Sequence, residues 1–227
     1  MKTNILCETT DFLVCEKPAG LAVQAGSGYQ ADMVSELKNY LCKTTGGRNP
    51  YLGVIHRLDQ PVEGLLVFAR TEEAAADLSA QLAEGRLTKR YLAVLEGIPG
   101  QSQRTLVDYV KKDGKNRCAC VTGAGEAGAK RAELSYRILA KQDQGTLALA
   151  EISLRTGRFH QIRVQMAHRG WPIVGDGKYG AKSQTPGSIA LCARELTFYD
   201  GAVREQRHFS ICPRHAAFGE FSEILKQ

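Results

Sequence analysis

Three short segments of the sequence place charged and aromatic residues inside apolar, glycine-punctuated stretches. Residues 55–61 hold a histidine, an arginine and an aspartate, residues 89–91 are a basic pair followed by a tyrosine, and residues 155–164 hold three arginines and a histidine. An unpaired charge is strongly disfavoured once it is buried. The charges in these segments must therefore pair with one another or meet a charged ligand, and each segment is a candidate for chemistry.

The same residues also admit structural interpretations. Arg57 and Asp59 could form an ion pair that only holds a loop in place, and Arg158 and Arg163 could lie on the solvated face of a helix. Taken one at a time, the segments do not decide between a structural role and a catalytic one. Their combination and their order along the chain favour a functional role.

Two matches to other kinds of site fail on their context. Gly123, Gly125 and Gly128 have the spacing of the dinucleotide-binding fingerprint, but a strand-like alternation follows them where that site needs the N-terminus of a helix. Residues 56–59 read H-R-L-D rather than the H-R-D of a kinase catalytic loop, and the D-F-G and V-A-I-K partners of that loop are missing. We therefore expect neither a nucleotide site nor a kinase site.

Hydrophobic spacing predicts the elements that position these segments. Strands are predicted at 12–15, 64–69, 91–95, 132–138, about 146–154, about 188–199 and 205–211. Helices are predicted over 31–42, from Thr71 to about Ala83, over 158–168 and briefly at the C-terminus. Residues 44–50 are a predicted loop, and residues 100–130 are polar and glycine-rich without a clear period. Because strands outnumber helices and do not alternate strictly with them, the sequence predicts an α+β fold, with helices flanking a mixed, largely antiparallel central sheet.

Composition is that of an ordinary soluble globular protein. The 227 residues are 43% hydrophobic and 24% charged, and the net charge of +6 suits a polyanionic partner without proving one. No uncharged run approaches the roughly 20 apolar residues of a membrane-spanning helix. The N-terminal residues lack the apolar stretch of a signal peptide. We therefore expect a cytoplasmic protein that does not associate with membranes.

The seven cysteines are odd in number and scattered along the chain, which is atypical of a secreted disulfide framework. Cys118 and Cys120 are one residue apart, an awkward spacing for two ligands of one zinc ion. The gap between Cys212 and His215 is ligand-like, but no partner pair accompanies it. The sequence therefore predicts reduced thiols and no metal site.

Six segments follow one another in a characteristic order over roughly residues 11–200. They are 17–23 (KPAGLAV), 53–59 (GVIHRLD), 89–93 (KRYLA), 156–164 (TGRFHQIRV), 172–180 (PIVGDGKYG) and 189–193 (IALCA). One such segment would be weak evidence, but the ordered set is specific. On this set the chain resembles the RluA-type branch of the RNA pseudouridine synthases.

The resemblance implies an isomerase that converts uridine to pseudouridine in RNA. This reaction breaks the glycosidic bond between N1 and C1′ and rejoins the uracil through C5, so it requires no cofactor and no metal. Positive charge builds on the ribose as the bond breaks, and a nearby carboxylate stabilises or captures it. The resemblance assigns that role to Asp59. Whether Asp59 attacks C1′ or removes the C2′ proton stays open.

Two further catalytic residues follow from the same resemblance. Arg163 matches an arginine that pairs with the aspartate and opposes the rise in pKa that burial would cause. Tyr91 matches the active-site tyrosine of the family. An aromatic ring gives a flipped uracil a platform, and a phenol can help to move the C5 proton at the end of the reaction.

The remaining site residues are implied to bind or brace the substrate. They are Arg57, His56, Arg158, His160, Leu191 and Ile189. In the family, the arginine next to the aspartate helps to occupy the space that the flipped nucleotide leaves. One or both of the aliphatic residues form an apolar wall of the pocket, and the two histidines and Arg158 brace the site.

The resemblance also implies RNA, either rRNA or tRNA, as the partner. Many relatives carry a small extra RNA-binding domain before the catalytic one, but here the first matching segment begins at residue 17. We therefore expect a single catalytic domain over 1–227, with an RNA cleft across its sheet, no separate RNA-binding domain and a monomeric state. The basic run at 111–117 is an additional candidate for contact with phosphates, although such runs are more often solvated loops.

The chain departs from the family pattern just after Asp59. Relatives commonly have two variable residues and then Thr-Ser-Gly, whereas this chain has Gln-Pro-Val-Glu-Gly at 60–64. An inward-facing Glu63 would raise the pKa of Asp59 and repel the RNA backbone, so we expect Glu63 to face outward or to pair with a neighbouring arginine. Cys192 stands where a histidine is frequent.

Three functions are compatible with this pattern. The first is an active RNA uridine isomerase. The second is an RNA-binding relative that has lost turnover through the change at Glu63. The third is an unrelated hydrolase that uses Asp59 as a nucleophile, and only the first two account for the ordered segments.

Overall fold

The computed structural model of the protein describes residues 2–26, 31–46, 49–142, 145–183 and 185–226. The chain divides into two compact units. Unit 1 comprises Met1–Lys89 and Ala193–Cys212, and unit 2 comprises Arg90–Cys192 and Pro213–Gln227. The single catalytic domain expected over 1–227 stays a prediction.

The described residues form eleven strands and four helices. The strands are β1 (Asn4–Glu8), β2 (Phe12–Lys17), β3 (Gly53–Val54), β4 (Glu63–Ala69), β5 (Thr88–Glu96), β6 (Gln103–Asp113), β7 (Cys118–Thr122), β8 (Lys130–Lys141), β9 (Leu147–Leu154), β10 (Leu191–Asp200) and β11 (Glu205–Ser210). The helices are α1 (Met33–Thr45), α2 (Glu72–Glu84), α3 (Gln161–His168) and α4 (Ser222–Leu225). A 3₁₀ turn at Ala216–Phe221 leads into α4. No helix in the described ranges has the length and apolar character needed to cross a bilayer.

Strand pairing confirms the predicted α+β architecture. In unit 1 the neighbours run β1–β2–β4–β10, with β3 also paired to β4 and β11 to β10. In unit 2 they run β5–β9–β8–β6–β7. The pairs of defined register, such as β2 with β4 and β5 with β9, are antiparallel. Helices accompany this largely antiparallel sheet in both units.

The core of unit 1 forms where β2 and β4 lie side by side. Every residue of both strands is buried. Val14 is opposite Val67 in the register, and Phe12 packs edge-on against Phe198 of β10 with ring centroids 5.1 Å apart. Leu78 of α2 belongs to the same cluster. Burial of such side chains is the main favourable term in folding, so this cluster fixes the strand that follows the Asp59 segment.

Helix ends follow the signals read from the sequence. The side chain of Thr71 accepts a hydrogen bond from the backbone N–H of Ala74, and α2 ends at Gly85 in the left-handed conformation, both as predicted. Helix α1 begins after Asp32, which caps it through the N–H of Ser35. It then continues to Thr45, so the predicted loop begins later than expected, and residues 47 and 48 of that loop lie outside the described residues.

Two elements of unit 2 differ from the sequence prediction. Helix α3 begins at Gln161 rather than at Arg158, because His160 has a left-handed backbone (φ 53°) that interrupts the helical path. The stretch 100–130, which has no clear period, forms β6 and β7, an antiparallel hairpin. A small core at the base of this hairpin contains Val110, Ala119 and Val164, so the hairpin packs against α3.

Candidate active site

Asp59 lies in unit 1, on the segment that joins β3 to β4. The segment turns at this residue, where the N–H of Val62 donates to the Asp59 carbonyl oxygen at 3.0 Å. Gln60 is tied to the Lys17–Gly20 turn at both ends: its carbonyl accepts from the N–H of Gly20 at 2.8 Å, and its side-chain amide donates to the Gly20 carbonyl at 2.9 Å. The half-buried Asp59 is therefore held on a backbone with little freedom.

A fully buried lysine holds this segment and the preceding turn by hydrogen bonds to their backbone. The Nζ of Lys17 donates to the carbonyl oxygen of Gln60 at 2.9 Å, and to those of Pro18 and Leu21 at 2.9 and 2.6 Å. Burial lowers the pKa of Lys17 to about 7, although the negative charges of Asp59 and Glu63 oppose the shift. The amine thus lies in the electrostatic field of Asp59 while it anchors the neighbouring carbonyl.

Glu63 does not face outward, and that part of the expectation is wrong. The residue is 6% exposed at the start of β4, and its charge raises the pKa of Lys17. The buried carboxylate of Glu63 therefore interacts electrostatically with the amine of Lys17 on the adjacent strand β2. Whether Glu63 also pairs with an arginine stays a prediction.

The neighbours of Asp59 in the sequence have contrasting environments. Arg57 is exposed, as a residue that meets a ligand must be, whereas His56 is buried. Neither ring nitrogen of His56 has a hydrogen-bond partner within the described part of the chain. Burial, with a smaller contribution from the charge of Lys89, lowers the pKa of His56 well below its ordinary value. A neutral, buried His56 fits a bracing role better than direct contact with RNA.

Arg163 lies in unit 2, on the first turn of α3, and forms a buried two-point ion pair with Asp176. Its Nε donates to Oδ2 of Asp176 at 2.7 Å and its Nη2 donates to Oδ1 at 2.9 Å. The two side chains are 5% and 2% exposed. The ring of Tyr179 lies under the guanidinium, 5.0 Å from its carbon to the ring centroid. The orientation of Arg163 is therefore set by two residues to which the sequence assigned no role.

His160 is fixed by a second chain of hydrogen bonds in the same unit. The backbone N–H of Ala119 donates to the hydroxyl of Tyr179 at 2.8 Å, and that hydroxyl is 2.8 Å from Nδ1 of His160. Burial raises the pKa of Tyr179 to about 12. Burial, followed by the charges of Arg163 and Lys178, lowers the pKa of His160 to about 3, so the imidazole is neutral at neutral pH.

The loop before α3 is braced by Gln161. Its side-chain oxygen accepts hydrogen bonds from the hydroxyl of Thr156 at 2.8 Å and from the N–H of Arg158 at 2.9 Å. Its amide donates to the carbonyl of Glu133 at 3.0 Å. Arg158 is exposed and donates from Nε to the carbonyl of Arg131 at 2.9 Å. Arg158 therefore braces this loop while its guanidinium remains at the surface.

The remaining predicted residues of unit 2 are buried. Tyr91 is 4% exposed in β5, opposite Ile152 of β9, and Leu191 at the start of β10 and Ile189 just before it are each 3% exposed. The N–H of Leu191 donates to the carbonyl of Ile189 at 2.7 Å, which is a tight turn into the strand. These positions fit an aromatic platform and an apolar wall.

The structure thus assembles the predicted residues within each unit separately. Unit 1 groups His56, Arg57 and Asp59 on one segment, and unit 2 gathers Arg163 and His160 around a shared tyrosine. Sequence reasoning assigned no role to Lys17, Asp176, Tyr179 and Gln161. All four lie inside the segments that carry the family resemblance. The resemblance therefore marked their positions in the sequence but did not indicate what they do.

Comparisons with known proteins bear directly on this arrangement. A sequence model of the RNA pseudouridylate synthase family matches residues 11–168. The chain is 34% identical over 225 residues to ribosomal large subunit pseudouridine synthase D of Pseudomonas aeruginosa, covering 99% of this chain and 64% of that protein. It is 33% identical over 235 residues to an uncharacterized RNA pseudouridine synthase of Synechocystis sp., covering 99% of this chain and 69% of that one.

Some relatives are considerably longer than this chain. The match to ribosomal large subunit pseudouridine synthase D of Nitrosomonas europaea, 34% identical over 204 residues, covers 84% of this chain but only 54% of the relative. Among solved structures, human RNA pseudouridylate synthase domain containing 4 superimposes with a TM-score of 0.78 at 20% identity, covering 98% of this chain and 93% of that one. At that identity the superposition establishes a shared fold.

Proposed function

The chain belongs to the RNA pseudouridylate synthase family, and from this premise we propose that it isomerises uridine to pseudouridine in RNA, with Asp59 as the catalytic carboxylate. The observation that carries the proposal is the family match over 11–168, which includes Asp59, Tyr91 and Arg163. The local structure supports it, because the backbone beside Asp59 is held by hydrogen bonds, Tyr91 is buried in β5, and the guanidinium of Arg163 is fixed by Asp176.

The reaction requires a carboxylate that remains ionised and precisely placed. The N1–C1′ bond breaks, the uracil turns, the C5–C1′ bond forms, and the proton leaves C5 while N1 gains one. Asp59 either attacks C1′ or removes the proton from C2′, and both steps need its charged form. The backbone bonds around Gln60 and the buried amine of Lys17 support this, since they fix the chain beside Asp59, and the amine in its protonated form places a positive charge in the field of Asp59.

Tyr91 and Arg163 complete the proposed catalytic set. Tyr91 provides the uracil with an aromatic face, and its hydroxyl is suited to moving the C5 proton. Arg163 favours the ionised form of the carboxylate. Its bidentate pair with Asp176 supports this role, because a guanidinium fixed at Nε and Nη2 presents its remaining N–H groups in fixed directions.

The proposed substrate is structured RNA, either rRNA or tRNA. Relatives from Pseudomonas aeruginosa and Nitrosomonas europaea are named as ribosomal large subunit enzymes, which favours rRNA. Arg57, Arg158, His56 and His160, together with the apolar wall at 189–191, are proposed to bind or brace the flipped nucleotide. We further propose that the protein acts in the cytoplasm as a monomer and without a cofactor or a metal.

A turnover assay on total rRNA and total tRNA tests the proposal, with pseudouridine measured by mass spectrometry after digestion. We expect product from the wild-type protein and none from Asp59→Asn, which keeps the shape of the side chain but removes its charge. Glu73→Gln, which removes an exposed acid from α2, is the matched control and should match the wild type.

Two results would redirect the proposal. RNA binding without product from every RNA tested would favour the second candidate function, an RNA-binding relative whose turnover is blocked by the buried Glu63. Glu63→Ser would then be expected to restore product. Equal turnover by wild type and Asp59→Asn would overturn the role of Asp59 itself.

A further inference from the structure

Phe159 is an exposed aromatic residue for which the proposed catalytic set has no use. It is 38% exposed and lies just before α3. One face of its ring stacks on His160, with centroids 3.7 Å apart and planes inclined by 21°. The Nζ of Lys112 lies over the ring, 4.9 Å from its centroid. Because His160 covers one face, Lys112 must occupy the other, and we call these three residues the Phe159 platform.

The platform is rigid on its inner side. His160 is fixed at Nδ1 by the hydroxyl of Tyr179, which itself accepts from the backbone N–H of Ala119. The hydroxyl of Tyr179 and Nδ1 of His160 are joined by a hydrogen bond whichever of the two donates the proton. The tilt of the imidazole ring beneath Phe159 is therefore set before any ligand arrives.

The outer side of the platform is exposed and basic. Lys112 is an exposed lysine on β6, and the contact of an exposed ammonium with an aromatic face is weak. Lys178 lies nearby, since its charge lowers the pKa of His160 and its Nζ donates to the carbonyl of Arg117 at 3.2 Å. Asp176, the acid that opposes this field, is itself occupied by Arg163. The exposed ring is thus surrounded by net positive charge.

A fixed aromatic ring beside exposed cations has the chemistry that single-stranded nucleic acid requires. Bases stack on the ring whatever their identity, and the cations take up the phosphates on either side. A stacked base interacts with a phenyl ring more strongly than an exposed ammonium does, and a phosphate gives Lys112 a better partner than the ring. When a base displaces Lys112 from the ring, the ring and the lysine therefore both gain a better partner.

We propose that the Phe159 platform is a docking site for an unpaired base of the RNA substrate, with Lys112 moving from the ring to the adjacent phosphate when the base stacks. This inference rests on the proposed function, since it takes RNA as the partner. It adds Phe159 and Lys112 to the predicted catalytic and binding residues, and it uses the β6–β7 hairpin and the start of α3, which belong to the same unit.

Binding of a fluorescein-labelled oligouridylate of twelve nucleotides tests the proposal, with inorganic polyphosphate as a polyanion that has no bases. Phe159→Leu removes the aromatic face but keeps an apolar side chain, and we expect it to weaken oligouridylate binding about tenfold. Binding of polyphosphate should be unchanged. Phe159→Trp should bind the oligonucleotide at least as well as the wild type, and Tyr199→Leu, at another exposed aromatic residue, is the matched control.

Each other outcome overturns the proposal. Wild-type affinity of Phe159→Leu for oligouridylate would show that no base stacks there. Equal weakening toward oligouridylate and polyphosphate would show that Phe159 only positions Lys112, so that the site binds phosphate alone. These assays measure binding and not turnover, so loss of product in Asp59→Asn can succeed or fail independently of them.

Discussion

Lys17 is a buried lysine whose three hydrogen bonds all end on backbone oxygen atoms around the Asp59 segment. Burying an ammonium is costly, and its pKa is lowered to about 7 for that reason. A methionine would fill the same space without that cost. The lysine nevertheless supplies what an apolar residue cannot, because it satisfies carbonyl groups that are directed inward by the turn at 18–21 and by Gln60.

The shifted pKa makes stability depend on pH in a definite direction. Lysine titrates near 10.5 in the unfolded chain and about 7 in the folded one. Between these values the unfolded state binds the proton and the folded state does not, so the free energy of unfolding rises with pH, by up to about 1.4 kcal/mol per unit from this group. Lys89, whose pKa is lowered to about 8, acts in the same direction.

We therefore predict that Lys17→Met destabilises the protein more at pH 9 than at pH 6. At pH 9 the folded amine is neutral and has two N–H donors, so the variant loses these hydrogen bonds to the surrounding carbonyl groups, a loss of about 2 kcal/mol. At pH 6 the loss is smaller, because the variant no longer buries an ammonium. Urea unfolding at both pH values measures the difference, and Lys43→Met, at an exposed lysine of α1, should show none. A greater loss at pH 6 would contradict the lowered pKa.

At the level of elements, α2 and the hairpin show what the sequence can and cannot predict. Thr71 and Gly85 are local signals, so the ends of α2 were predictable from the residues beside them. The hairpin was not, because in β6 the fully buried residues are Leu106 and Val110, four apart rather than two. An eleven-residue strand with so few buried side chains lacks the alternation by which strands are recognised.

The residues of the candidate site were likewise only partly predictable from the sequence. Asp59, Tyr91 and Arg163 could be named from the resemblance, because it assigns roles by position. The environment of Glu63 could not, since its burial depends on the pairing of β4 with β2. The left-handed His160 that delays α3 also escaped prediction, because a positive φ is uncommon outside glycine and the bond between its ring and Tyr179 forms only in the folded chain.

Gly64 shows how closely β4 approaches β10. Its backbone φ of +137° is one that residues with side chains rarely adopt. A Cβ added there would lie 2.5 Å from the backbone nitrogen of Ala193 and 2.7 Å from its carbonyl oxygen. Neither atom can move without disturbing β10. The glycine is therefore required by packing as well as by backbone conformation.

We predict that Gly64→Ala destabilises the protein by about 4 kcal/mol, the sum of backbone strain and overpacking. Gly85→Ala separates the two contributions, since Gly85 also has a positive φ (76°) but no atom lies within 4 Å of an added Cβ. That variant should lose only about 1 kcal/mol. Thermal unfolding of both variants measures the difference between their losses of stability. Equal losses would show that the close approach of Gly64 to Ala193 imposes no constraint.

At the level of the whole molecule, the net charge of +6 is modest, so its distribution decides how the proposed RNA substrate would be bound. The tip of the β6–β7 hairpin carries exposed Lys115 and Arg117, whose side chains extend from a turn held by Asp113. Helix α1 carries Lys38 and Lys43 in the other unit. The two pairs contribute equally to the net charge, and only the hairpin pair shares a unit with the Phe159 platform.

Salt dependence can distinguish a local contact from a general effect of charge. Each phosphate neutralised on single-stranded RNA contributes about 0.7 to the slope of log affinity against log salt concentration. We predict that the double variant Lys115→Gln/Arg117→Gln lowers this slope for the twelve-nucleotide oligouridylate by about 1.4. Lys38→Gln/Lys43→Gln, which also reduces the formal charge from +6 by two, should leave the slope unchanged.

Fluorescence titrations between 50 and 200 mM KCl, about the range over which such slopes are resolved, supply both measurements. A loss of slope confined to the hairpin variant would assign phosphate contacts to the hairpin, because both variants carry the same net charge. An equal loss in both variants would mean that RNA responds to total charge alone. A slope unchanged in the hairpin variant would make this basic tip a solvated turn, so that the positive charge bound to phosphate must lie elsewhere on the protein.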